Sequence, residues 1–388
     1  YKTVRRLGWS RGCGTAAAVL YGLSVIGLST FVMIRMYMLL TFLAVVLMYL
    51  IVCLMREFKP KYCILTGLVL LAGLITQYYF VFYAFFLCAA YVIYALVKRE
   101  YKALAWFVPC ALVGALSLLL VFPACIDHLF ADNIVSGGNA MENLRNFAQY
   151  PVRLRTFISF ITHGLKAAII IALLAIIALG VYFRKFKAAA KDKRLDLRAL
   201  VLIVPAIIVL VIVALISPVD EPRYIYNLIP AFVLAACLLL YLLEESLGSF
   251  EREGLIKTAA LLCIMALALW QARCVPPDYL YPEYAEYDAI VAEHSDDKCV
   301  YFSDNRFEAI TQDLLQLMAF DDFYVSDDTE LTGALDYVGG ADEFVAYVDI
   351  SEFWSSGYDP DKIISALADA SDYDKAELLY QNGLSATY

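Results

Sequence analysis

The chain has 388 residues, 62% of them apolar and 18% charged, with a formal net charge of −9 and a mean hydropathy of +0.69. A soluble domain carries about a quarter charged residues and rarely strings apolar ones to membrane-spanning length, so an ordinary soluble domain is excluded for most of the chain. The charge is split in two: 26 Lys and Arg face 13 Asp and Glu over residues 1–273, while 4 face 26 over residues 274–388.

In chain order, Lys2, Arg5, Arg6 and Arg11 read as a cytoplasmic loop. The chain opens on Tyr1 without the three regions of a signal peptide, and a further N-terminal piece is expected upstream. Apolar runs then predict spans near 14–33, 37–55, 62–76, 79–97, 103–122, 165–183, 199–217, 225–243 and 255–274. The fold expected is therefore an α-helical polytopic membrane bundle of about nine transmembrane helices over residues 1–275, followed by a small α/β extracytoplasmic domain over 276–388.

Orientation follows from the loop cations. Alternate loops carry Lys2 to Arg11, then Arg56, Lys59 and Lys61, then Lys98, Arg99 and Lys102, then seven from Arg184 to Arg198, then Arg252 and Lys257, 19 in all. The opposite loops carry Arg35, Arg145, Arg153, Arg155 and Arg223. The basic set is cytoplasmic, which places the tail outside the cell membrane.

The loop 123–164 is polar from Asn133 to Asn143 and amphipathic beyond, with Leu144, Phe147, Val152, Leu154 and Phe157. It reads either as an interfacial helix covering a lipid-facing cavity or as a plain connector. In the tail, 299–303, 323–325 and 344–349 read as short buried strands, and 306–320 and 360–370 as helices, the latter opened by Asp359 and Pro360. That alternation predicts a mostly parallel sheet. Asp pairs at 296/297, 321/322 and 327/328 read as a solvated acidic surface or a cation site.

Most of the ten cysteines, among them Cys53, Cys88, Cys110, Cys237 and Cys263, fall inside spans and read as small apolar fillers. Cys274 and Cys299 in the tail could pair. No metal-ligand spacing occurs, and His128 and His163 stand singly; no metal or cofactor is expected, and no nucleic-acid partner.

In a membrane protein the informative residues are the few charges that apolar spans hold in place. Arg35 sits in the short turn Ile34-Arg-Met-Tyr37, and Arg223 in the short turn from Ser217 to Tyr224. Each lies close to a Tyr at the membrane surface, where a guanidinium either snorkels to headgroups, pairs with a carboxylate such as Asp220 or Glu221, or grips a phosphate with its fork.

These segments, in this order, resemble the GT-C-type membrane glycosyltransferases, in particular the bacterial enzymes allied to protein O-mannosyltransferases and lipid A aminoarabinose transferases. Arg35-Met-Tyr-Met-Leu-Leu40 is similar to the family's Arg-x-Tyr-x-Leu-Leu. Gly73-Leu-Ile-Thr-Gln-Tyr-Tyr-Phe80 is similar to its Gly-Leu-x-Thr-His-Tyr-Phe turn, with Gln77 in place of His. Pro222-Arg-Tyr-Ile-Tyr-Asn-Leu-Ile-Pro230 is similar to its Arg-Tyr-x-x-x-x-x-Pro turn. The resemblance implies inverting transfer of a sugar from a polyprenyl-phosphate carrier to a glycan, lipid or protein acceptor on the outer face of the bilayer. It also implies a donor-phosphate site built from Arg35, Tyr37, Gln77, Tyr78, Arg223 and Tyr224. The family's catalytic Asp lies in a large first exported loop, whereas the turn at 29–35 holds no carboxylate. The base is thus expected upstream of Tyr1, and the chain by itself is expected to be inactive. The competing readings are a transporter or flippase of a lipid-linked sugar, and a non-catalytic scaffold with an exported receptor domain.

The 19-to-5 asymmetry of loop cations makes a direct prediction. A reporter enzyme fused after Tyr388 should be active only if it works outside the cytoplasm; a reporter active solely in the cytoplasm would overturn the orientation.

Overall fold

The computed structural model describes residues 1–32, 36–123, 150–181, 197–217, 222–247, 253–274, 293–303, 320–326, 331–350, 358–371, 373, 375–381 and 385–388. The chain divides into two compact units, Tyr1–Leu280 and Tyr281–Tyr388. The first is helical throughout its described residues and the second is built on a sheet.

The basic opening segment is not a loop. Lys2–Leu7 forms helix α1, with Val4 and Leu7 buried, and Trp9 beyond it stacks on Tyr241 at 5.1 Å. Its apolar residues outweigh its charges because the cations have acceptors and counter-charges nearby. The guanidinium of Arg5 donates to the Trp9 carbonyl. Arg56 and Arg198 donate to the carbonyls of Arg6 and Leu7 at 2.9 and 3.0 Å, groups that a helix C-terminus leaves open.

The first expected span is two helices, α2 (Arg11–Gly22) and α3 (Val25–Val32). Ser24 makes the break: its Oγ donates to the Tyr21 carbonyl at 2.7 Å and accepts from the Gly27 N–H at 2.9 Å, ending one helix and capping the next. Then follow α4 (Tyr37–Arg56), α5 (Pro60–Thr76), α6 (Phe80–Val97) and α7 (Tyr101–Val121). Next come α8 (Tyr150–Gly164), α9 (Lys166–Val181), α10 (Leu197–Ile216), a 3-10 segment Pro222–Leu228, α11 (Ile229–Leu247) and α12 (Glu253–Cys274). Among the described residues five segments are long and apolar enough to cross a membrane: Tyr37–Arg56, Phe80–Val97, Tyr101–Val121, Leu197–Ile216 and Pro222–Glu244.

Helices α8 and α9 meet at an angle of 84°. A chain that turns so sharply leaves backbone groups without helical partners, and Gln271 from α12 satisfies two of them. Its Nε2 donates to the Gly164 carbonyl at 2.7 Å, and its Oε1 accepts from the Ala167 N–H at 2.8 Å. Gly164 is required there, since a Cβ would lie 2.1 Å from Ile26. Helices α5 and α7 touch backbone to backbone: a Cβ on Gly114 would meet the Gly67 carbonyl at 2.2 Å, and one on Gly67 the Cys110 carbonyl at 2.5 Å. Such small-residue contacts are how membrane helices approach closely.

In the second unit, β1 (Cys299–Phe302), β2 (Phe323–Ser326) and β3 (Val345–Asp349) are parallel. The expected mostly parallel sheet is nonetheless mixed, because β4 (Tyr380–Gln381) and β5 (Ser385–Thr387) join it antiparallel, in the order β2-β1-β3-β5-β4. One face packs Val300, Phe302 and Val348 against α13 (Thr332–Val338) and α14 (Pro360–Ala370), through Val338, Ile363 and Leu367. The other gathers Cys299, Tyr301, Phe320, Val345 and Tyr347. Asp359 caps α14 as expected, accepting from the Asp361 N–H at 3.2 Å. Cys299 is a free, buried thiol, and the side chain of Cys274, its suggested partner, lies outside the described residues. The expected helix at 306–320 lies almost wholly outside the described residues.

Replacing Gly114 by Leu should force α5 and α7 apart, since the obstruction is backbone, and cost about 1–3 kcal/mol. Gly180, with open space around its α-carbon, is the control. Thermal unfolding in detergent should show a lower midpoint for Gly114→Leu and little change for Gly180→Leu.

Candidate functional site

The two ends of the bundle differ in chemistry. At one end α1 meets the C-terminus of α4 and the N-terminus of α10 through Arg56 and Arg198. There Glu57 pairs with Lys59 at 2.7 Å and Arg6 at 3.5 Å, and the Lys59 hydrogen bond holds its carboxyl below the ordinary carboxylate value. Because α4 runs toward this end and α10 away from it, the start of α4 and the end of α10 lie at the other.

That other end gathers tyrosines. Tyr37, at the start of α4 and 2% exposed, packs edge-on against Tyr226 of the 3-10 segment at 5.6 Å, and Phe160 of α8 meets the same ring at 5.5 Å. Tyr79, in the turn between α5 and α6, lies 4.4 Å from Tyr224. The Arg223 guanidinium sits 5.3 Å from the centre of the Tyr224 ring, within cation–π range. Burial dominates the surroundings of the Tyr79 hydroxyl, followed by the neighbouring Tyr224, with a hydrogen bond to Ser217, at the end of α10, and the more distant charges of Arg153 and Arg223 acting the other way.

Local sequence explains each placement. The turn 77–79 is tight because Phe80 packs where a Cβ of Gly73 would be, 2.2 Å away, while the Gln77 carbonyl accepts from the Phe80 N–H at 3.1 Å. Residues 222–228 wind as a 3-10 helix before Pro230 enters the first turn of α11. Arg153 faces inward because the helical period aligns it with Phe157, Phe160 and Gly164 on the buried side of α8.

Of the expected site residues, Tyr37, Arg223 and Tyr224 come together at this end, and Gln77 is in the turn that delivers Tyr79. Tyr78 packs toward Leu74 and Leu118; of the two adjacent tyrosines it is Tyr79 that meets Tyr224. Arg35 lies outside the described residues, as do Asp127, His128, Asp132, Leu144, Arg145 and Phe147. The apolar face expected from Val152 and Phe157 is redrawn: Phe157 is buried, but Val152 is 57% exposed while Arg153 is 3% exposed. No family model, curated protein or solved structure matches the chain.

Sequence reasoning counted Arg153 among the loop cations without selecting it, and passed over Tyr79, Ser217, Tyr226 and Asn227. The spacing 153, 157, 160 and 164 was the available signal for Arg153. Ser217 and Asn227 carry no local signal, since only the meeting of α10 with the 3-10 segment gives them a role.

The second unit has its own polar features. At the carboxyl ends of β1 and β3, Ser303 Oγ donates to Asp349 Oδ2 at 3.0 Å, both residues being buried. A separate cavity of about 520 Å³ is lined by His294, Asp297, Asp342, Glu343, Tyr373 and Lys375 among others. Lys298 closes α13 by donating to the carbonyls of Tyr337 and Val338 at 2.7 and 3.0 Å.

The Tyr79–Tyr224 contact should be structural as well as functional. Tyr79→Ala should destabilise the first unit by about 3 kcal/mol through lost ring packing, and Tyr79→Phe by about 1 kcal/mol through the lost hydroxyl bond. Unfolding in detergent checks the order; a Phe variant as damaged as the Ala variant would show the hydroxyl, not the stack, to dominate.

Proposed function

We propose that this chain is the membrane-spanning part of a glycosyltransferase of the GT-C kind, with about nine spans, lying in the cell membrane with its acidic tail outside. In this reading it holds a polyprenyl-phosphate sugar at the outer face and presents it to a glycan, lipid or protein acceptor. One observation carries the proposal: Arg223 lies over the Tyr224 ring beside Tyr79, and Arg153, 70 residues away in sequence, is buried on the helix that packs against the same 3-10 segment, at the end of the bundle opposite the basic loops.

Two like charges held on elements that pack together make a positive field where helices end, which is the level of a lipid phosphate in a bilayer. In transfer from a lipid phosphate, the bond from the anomeric carbon to the phosphate oxygen breaks and negative charge grows on that oxygen. Fixed cations placed there stabilise the transition state more than the ground state. Arg153 and Arg223 take that part, with Arg35, two residues before Tyr37, as a third cation. Tyr79 and Tyr224 orient the headgroup, their rings backed by Tyr226 and Phe160. The step needs a carboxylate base to take the acceptor proton.

The cavity in the second unit favours one other reading, an exported receptor domain on a non-catalytic scaffold, because its volume falls in the range of small-molecule sites. Binding to the first unit separates the two. With the chain in lipid nanodiscs, undecaprenyl phosphate should bind, and Arg153→Ala or Arg223→Ala should each weaken it roughly tenfold or more, a charge-assisted contact being worth about 1.5–3 kcal/mol. Lys at either position should restore part of the affinity, keeping the charge and losing the fork. Wild-type affinity in both Ala variants would end the phosphate-site proposal.

A further inference from the structure

Two amides, on the segments that carry Tyr79 and Tyr224, have hydrogen-bonding capacity that no described residue fills. Asn227 is 2% exposed, and its Nδ2 has no acceptor; Oε1 of Gln77 is sequestered from solvent with no donor. Buried polar atoms are almost always paired, so unfilled ones need an explanation. Their placement supplies it. In a 3-10 helix residues three apart eclipse, so Asn227 lies beneath Tyr224 on the same face of the segment Pro222–Leu228. Gln77 is two residues before Tyr79, in the same turn, and the Tyr79 ring lies 4.4 Å from Tyr224.

The two vacant functions are of opposite kind. An amide NH2 only donates and an amide oxygen only accepts. A phosphodiester-like headgroup, whose oxygens only accept, satisfies Asn227 and leaves Gln77 unfilled. A hydroxyl gives one proton and accepts another, so adjacent hydroxyls satisfy both. We infer that Asn227 and Gln77 read hydroxyl groups on the sugar, making the ligand a polyhydroxylated glycosyl phosphate and these two amides its sugar-specific contacts. This rests on the reading of Arg153 and Arg223 as the phosphate grip, and divides the labour: the cations hold the phosphate, the amides recognise what it carries.

The experiment compares two lipids on the full chain in nanodiscs, undecaprenyl phosphate and undecaprenyl-phosphate glucose. Wild type should prefer the glucosylated lipid, and Asn227→Leu or Gln77→Met should each reduce that preference roughly tenfold, as expected where a buried polar partner is stranded. In Asn227→Leu the affinity for bare undecaprenyl phosphate should change by less than about twofold, since a neutral hydroxyl contact is absent from it. If wild type binds neither lipid, the phosphate reading fails and takes the inference with it. If bare lipid binds normally and both variants keep the sugar preference, the inference alone is wrong. Should a variant misfold, a deoxyglucose series on the same lipid tests wild type directly. One deoxy position must lose the preference, and equal binding across the series would overturn the assignment.

Discussion

A helix that stops inside an apolar bundle leaves carbonyls and amides with nothing to bond, and in hydrocarbon each such group is costly. The first unit is organised around how its breaks are closed. Ser24 closes the break between α2 and α3 with its own hydroxyl. Gln271 reaches from α12 to bond both sides of the α8–α9 corner, where Gly164 lets Ile26 approach. Phe80 fills the space over Gly73 so that the α5–α6 turn stays compact. Every residue of the candidate site stands at or beside such a break, because only there does the backbone present side chains from several helices at one level.

The breaks also explain the electrostatics. The carbonyls at the end of α1 accept from Arg56 and Arg198, so part of the basic end is neutralised by the bundle itself. At the opposite end, α8 turns 84° from α9, packs against the 3-10 segment and α10, and buries Arg153 on the same side as Phe157 and Phe160. A cation so buried has few waters around it, and there a guanidinium is more tolerable than an ammonium because it is more weakly hydrated. Field strength rises as water is excluded, which is what an anion-binding site at a membrane surface requires.

The second unit obeys different rules. It is built by strand alternation: Cys299 and Tyr301 face one way, Val300 and Phe302 the other, and each side has its own cluster. Among the described residues its carboxylates are exposed or half-buried, apart from Asp349, which is buried and accepts from Ser303. The closing hairpin of β4 and β5 covers what would otherwise be an edge of β3, a common remedy for exposed strand edges.

The amino-acid sequence by itself determined where the longer apolar helices and the three parallel strands fall. Run length and periodicity are local quantities, so Tyr37–Arg56, Leu197–Ile216, Cys299–Phe302 and Pro360–Ala370 were legible to within a few residues. Tyr37, Arg223 and Tyr224 were legible as well, as polar groups that short turns hold at a helix end. Which faces turn inward was not. Lipid and protein interior are equally apolar, so hydrophobicity marks a membrane helix without marking its buried side; Val152 faces out and Arg153 in. The choice of Tyr79 over Tyr78 beside Tyr224, the reach of Gln271 across more than 100 residues, and the antiparallel docking of β5 on β3 were decided only by tertiary structure. Each depends on two distant segments meeting, and no local pattern of residues encodes that meeting.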